Sequence, residues 1–151
     1  KNLPPKKLTT ENTKLIIGNI EETLPKFLTK KFEECPIAFI SIDVDYYSST
    51  VQALKILKMV PNHYLPRVII YLDDLQDEFH NSWCGELAAV SEFSEKHDYR
   101  KIERHTFTRS DRVFQRARWI DHIFVAHILD HPIRTNLKTN RPKTILNNPH
   151  I

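Results

Sequence analysis

Two apolar runs of strand length, IAFISI at residues 37–42 and RVIIYL at 67–72, each stop at aspartates: Asp43-Val44-Asp45 after the first, Asp73-Asp74 after the second. Near-continuous apolar runs of this length predict strands covered on both faces. Between them, Ser48 or Ser49 can cap a helix running to about Val60. Its residues Val51, Leu54, Leu57 and Lys58 fall near one face, and Pro61 stops it. Strand, helix, strand implies a right-handed crossover and a parallel pair. Ligands bind at the carboxyl ends of such strands. The pattern therefore gathers Asp43, Asp45, Asp73 and Asp74 at the tips of two neighbouring strands.

The rest of the chain extends this pattern. Residues 1–12 read as an extended lead-in, and TKLII at 13–17 as a buried strand closed by Gly18-Asn19. A helix is predicted from Glu21 to about Phe32, with Leu24, Phe27, Leu28 and Phe32 at helical spacing. A second helix is predicted from Gly85 to about Lys96, with Leu87, Val90 and Phe93 roughly on one side. Late strands are predicted over 101–107 and 119–129. From His131 the tail is rich in Pro, Asn and Lys and reads as irregular. The expectation is one α/β domain over 13–130 with a largely parallel sheet, flanked by the lead-in and by a tail at 131–151.

Composition narrows the function classes. The chain has 151 residues, 40% hydrophobic and 27% charged, which suits one globular domain. No apolar run reaches about 18 residues, so no membrane span is expected. The basic KNLPPKKL start has no apolar stretch behind it, so it does not read as a signal peptide. Cys35 and Cys84 make neither a disulfide framework nor a zinc motif, and both are expected as buried thiols in a reducing, cytoplasmic setting. The net charge of +3 is spread along the chain, without the basic stripe of a nucleic-acid module. Only two glycines occur, so there is no Gly-rich phosphate loop.

Four clustered carboxylates repel one another unless a cation or a raised pKa compensates. Oxygen donors suit Mg²⁺ or another hard divalent ion, which leaves positions open for a chelating hydroxyl. A single Asp pair after a strand would more often cap a turn; two pairs on successive strands favour a site. Tyr46 and Tyr47 suit either a substrate wall or packing at the strand-to-helix bend. Trp83 suits a lid or the core. His122, His127 and His131 do not share a face on a strand, so structural or surface roles are expected. Arg109, Arg112, Arg116 and Arg118 read as an exposed face that could meet an acidic substrate.

The segments from Gly18 to Pro25 (G-x-x-x-x-T-L-P), Ile42 to Thr50 (IDVDYYSST), Asp73-Asp74 after an apolar strand, and Gly85 to Phe93 (G-x-x-x-A-V-x-E-F) together resemble the macrocin O-methyltransferase family. These are class I, S-adenosylmethionine-dependent, metal-assisted sugar O-methyltransferases with a Rossmann-like sheet. The likeness spans about residues 13–97, and DVDYYSST is its most specific part. It implies that Asp43, Asp73 and Asp74 are metal ligands and that Asp45 is the general base toward a sugar or small-molecule hydroxyl. It places Gly18, Asn19 and Asp43 beside S-adenosylmethionine. Family members also carry two earlier strands, the first with a Gly-rich loop for the cofactor and the second with an acid for its ribose. This sequence shows neither, and His63-Tyr64-Leu65-Pro66 replaces the family's Pro-Gly-Gly. The expectation is the C-terminal part of a longer enzyme, or a reduced relative, with a small-molecule partner and with homo-oligomerisation compatible. The alternatives are a non-catalytic methyltransferase-like fragment and a haloacid-dehalogenase-type phosphatase. The latter would want Thr or Val where Tyr47 stands, and a wider separation between its aspartates.

Overall fold

A computed structural model describes residues 13–29, 35–75, 81–107 and 116–136. Helix α1 covers Ile20–Leu28, strand β1 Ile37–Ile42, and helix α2 Tyr47–Ala53, which tightens into a 3₁₀ segment, Leu54–Lys58. Strand β2 (Tyr64–Leu72), helix α3 (Gly85–Lys96) and strand β3 (Arg100–Arg104) follow. A 3₁₀ turn at Arg118–His122 then leads into strand β4 (Ile123–Ile128), and a short helix, Pro132–Asn136, comes after it.

The four strands form one sheet in the order β1-β2-β4-β3. Only β1 and β2 are parallel; β4 runs antiparallel to both of its neighbours. The largely parallel sheet expected from the alternation is therefore corrected to a mixed one. Strands β3 and β4 pair directly as antiparallel neighbours, which a crossover between parallel strands would not give.

Helix α1 packs on α2, α2 on α3, and α3 on β3. Alternation along the strands decides what they bury. Val68, Ile70 and Leu72 are 0% exposed and join Ile42, Leu54, Leu57, Val90, Phe93 and Phe124 in the core. Each such side chain contributes roughly 1.5–3 kcal/mol of burial. The intervening residues Arg67, Ile69 and Tyr71 are only partly covered or exposed. Strand β1 departs from the doubly covered strand expected of it: it is an edge strand, and Phe39 is 60% exposed. The opposite edge, β3, is short and charged. Ser94 Oγ accepts from Ile102 N at 3.0 Å, which occupies an edge amide.

Several boundaries move. Residues 13–17 form no strand, and Leu15, Ile16 and Ile17 are exposed. Helix α2 starts at Tyr47 with Tyr46 as its N-cap and no side-chain cap, so neither serine caps it. Strand β2 begins three residues early, at Tyr64. The predicted strand at 119–129 opens as 3₁₀ turn, and the one at 101–107 ends at Arg104. Cys35 is exposed and Cys84 half-buried, which corrects the buried thiols. Among the described residues no helix is long and apolar enough to cross a membrane.

Candidate functional site

The parallel pair β1 and β2 is in register at Ile42↔Leu72. One residue further on, Asp73 N donates to Ile42 O at 3.1 Å, so the two chains still run side by side where Asp43 and Asp73 begin. Asp43, Asp45 and Asp73 are exposed, and Asp74 is half-buried. Apolar strand interiors stop here because the next side chains must reach water. The tips therefore present carboxylates on both chains at one end of the sheet.

A fifth carboxylate stands behind them. Glu86, in the first turn of α3, is fully buried, and its Oε2 accepts from Asp74 N at 3.2 Å. Its Oε1 is buried, with no hydrogen-bond partner among the described residues. Burial first, and then the negative charges of Asp74, Asp73 and Asp43, push its carboxyl up to about 7; the Asp74 amide opposes this. Sequence reading missed Glu86. The available signal was its phase: Glu86, Val90 and Phe93 lie at i, i+4 and i+7, so a charged residue occupies the buried stripe of the helix. Gly85 enters that helix at φ +63°, a left-handed conformation that disfavours any side chain.

Beside the tips lies an open cleft of about 480 Å³ lined by Leu75, Arg104, Arg118, Asp121 and His122. His122 is buried; its Nδ1 donates to Leu72 O at 2.6 Å, and its ring stacks on Tyr71 at 5.6 Å. Partial burial, followed by the hydrogen bond to Asp73 and that residue's charge, raises the Tyr71 phenol above its ordinary value. Arg104 lies 4.0 Å from Asp121 and 5.3 Å from the centre of the Phe124 ring. Carboxylates and guanidinium groups thus flank the end of β2 on two sides.

The other sequence-derived residues separate. Asn19 caps α1, its Oδ1 accepting from Glu21 N at 3.0 Å. Gly18 has φ +149°, and a Cβ there would lie 2.8 Å from Thr23 Cγ2. Both residues thus have a local structural job. Tyr47 hydrogen-bonds Glu92, and that bond, ahead of burial, raises its phenol; the contact ties α2 to α3. Tyr46 is 70% exposed, and Trp83, at 89%, is no core residue. His127 meets Glu103 at 2.8 Å and His131 meets Tyr64 O at 3.0 Å, so the three histidines have separate partners. Arg109 and Arg112 lie outside the described residues.

The donors at the tips are hard oxygens, the type that a divalent cation takes. Among the described residues, however, no three His, Cys, Asp or Glu side chains lie close enough together to hold one. An ion there would have to draw the exposed carboxylates inward. No family model, curated protein or solved structure matches the chain.

Proposed function

We propose that these residues form the acceptor side of a divalent-cation-assisted, S-adenosylmethionine-dependent O-methyltransferase acting on a sugar or small-molecule hydroxyl. The observation that carries this reading is that β1 and β2 end in register at Ile42↔Leu72, with Asp73 N still donating to Ile42 O, so that Asp43 and Asp73 both follow the carboxyl ends of two parallel strands. The motifs around those positions resemble macrocin O-methyltransferases, and a Rossmann-like sheet continuing beyond the open edge of β1 belongs to the same proposal.

Asp43, Asp73 and Asp74 would hold Mg²⁺ or another hard ion. The bound ion would acidify adjacent hydroxyls and S-adenosylmethionine would supply the methyl group. Asp45, exposed on the same turn, accepts the proton of the hydroxyl. Tyr71 and His122 hold the Asp73 side of the site through their contacts at the end of β2. Arg104 and Arg118 give the cleft positive charge toward the acceptor.

Calorimetric titration with Mn²⁺ tests the cation assignment. Binding that Asp73→Asn loses and Asp45→Asn keeps is the expected result, because only the first is a ligand in this scheme. No binding by the parent chain overturns it. A second reading, a methyltransferase-like domain without a methyl-donor pocket, draws on the count of two glycines and on the local duties of Gly18 and Asn19. S-adenosylhomocysteine separates the two: sub-millimolar binding supports catalysis by this chain, and no binding supports the second reading.

A further inference from the structure

The cleft beside the end of β2 gathers positive charge from two elements. Strand β4 runs antiparallel to both β2 and β3, so β2 and β3 point the same way and end on the same side of the sheet. Arg104 is the last residue of β3, and Arg118 opens the 3₁₀ turn before β4. Both are exposed, and both line the cleft of about 480 Å³ with Leu75, Asp121 and His122. That volume suits a small molecule. One face of the Arg104 guanidinium lies over the Phe124 ring, 5.3 Å from its centre. Such stacking holds the plane and leaves the N–H edges unused. Asp121 Oδ1 stands 4.0 Å from Arg104 Nη1, too far for a hydrogen bond. Among the described residues neither guanidinium donates a hydrogen bond to a protein acceptor. His122 forms the buried wall, its Nδ1 committed to Leu72 O.

We propose that this cleft binds an oxyanion, a phosphate or carboxylate group carried by a small molecule, between the guanidiniums of Arg104 and Arg118. A guanidinium presents paired donors that match two oxygens of either group, and two of them bring more positive charge than Asp121 cancels. Leu75 directly follows Asp73-Asp74, so the cleft opens beside the aspartates. The two kinds of charge orient a ligand: the aspartates repel its anionic end and the arginines hold it. For a hydroxyl-bearing acceptor this decides which end faces the tips of β1 and β2, and that step alone rests on the methyltransferase reading. Binding of the anion needs neither a metal ion nor a methyl donor.

Nuclear magnetic resonance titration of the ¹⁵N-labelled full chain with sodium phosphate, and separately with sodium acetate, tests this at constant ionic strength. The expected result is a saturable shift of the Arg104, Arg118 and Asp121 amides, half-complete at roughly millimolar anion. Whichever anion binds more tightly names the group. Arg104→Gln and Arg118→Gln change exposed residues and should fold like the parent. Each should weaken binding roughly fivefold, the upper range for an exposed charge pair. Arg67→Gln removes the same charge nearer the start of β2 and should leave the affinity unchanged. Shifts that stay linear in the parent overturn the proposal, as does an equal loss in Arg67→Gln or parent-like affinity in both cleft variants. A parent that binds S-adenosylhomocysteine but neither anion leaves the methyltransferase reading standing without this proposal. Anion binding without S-adenosylhomocysteine binding keeps the cleft and removes its link to methyl transfer.

Discussion

The two ends of the sheet handle buried charge in opposite ways. At the end where β2 and β3 begin, Arg100 is 8% exposed and spends its guanidinium on Leu57 O at 3.1 Å, Tyr99 O at 3.0 Å, Met59 O at 3.3 Å and the Asp130 carboxylate. Tyr64 lies beneath it, 5.9 Å from the guanidinium carbon to the ring centre. Its hydroxyl donates to Ile56 O at 2.6 Å and accepts from Met59 N at 2.8 Å, and burial drives its pKa to about 12. At the other end, Glu86 keeps one oxygen without a partner among the described residues, and of the carboxylates that act on it Asp43 and Asp73 are exposed while Asp74 is half-buried. A satisfied network fixes the fold. An unsatisfied one costs stability.

The largest effect is expected at the satisfied end. Arg100→Ala strands the Asp130 carboxylate and releases three carbonyls that the guanidinium holds. The expected loss is about 1.5–3 kcal/mol in urea denaturation, because the guanidinium is buried while the Asp130 carboxylate it leaves behind is partly solvated. A loss under about 1 kcal/mol would mean that water already serves those carbonyls, and the contrast between the ends would disappear.

Glu86 sharpens the comparison through pH. Its folded pKa of about 7 lies above its ordinary 4.5. The folded state therefore binds its proton more tightly than the unfolded chain does. That contribution is complete below about pH 4.5 and is lost as pH rises toward 7. Glu86→Gln has no such proton to lose. In metal-free buffer its stability relative to the parent should climb between pH 5 and 7 and level off above. A flat difference across that window would show a solvated carboxyl, and with it an ordinary end to the sheet.

How much of this was readable beforehand follows from the same physics. Strands β1 and β2 and helix α3 were legible because uninterrupted apolar runs and a Gly-to-Lys helical pattern do not depend on distant partners. The first residues of β2 were missed because Pro66 lies there, and proline argues against a strand away from an edge or an end. Residues 13–17 carry a strand pattern but join no sheet among the described residues, and a strand is stable only as part of one. The antiparallel course of β4 has no local signature either. The aspartates could be placed because strand tips follow from strand ends. Glu86 could not, because its carboxyl reaches the site through the packing of α3 against the sheet, which only the tertiary structure supplies.

The smallest effect is expected at the exposed carboxylates, and its sign is informative. Asp73 is surrounded by like charges, and Tyr71 can keep its hydrogen bond to an asparagine. Without metal, Asp73→Asn should therefore change stability by no more than about 0.5 kcal/mol, toward greater stability, since it removes repulsion at an exposed position. With saturating Mn²⁺ the order should invert. An ion that binds only the folded parent stabilises it by RT ln(1 + [L]/Kd), about 2.7 kcal/mol at a hundredfold excess over Kd. The variant would gain little. Thermal melts of both proteins with and without Mn²⁺ check this crossing. If Asp73→Asn destabilises the metal-free protein by more than about 1 kcal/mol, the carboxylate end is holding the fold together as Arg100 does at the other end, and the tips of β1 and β2 are structural.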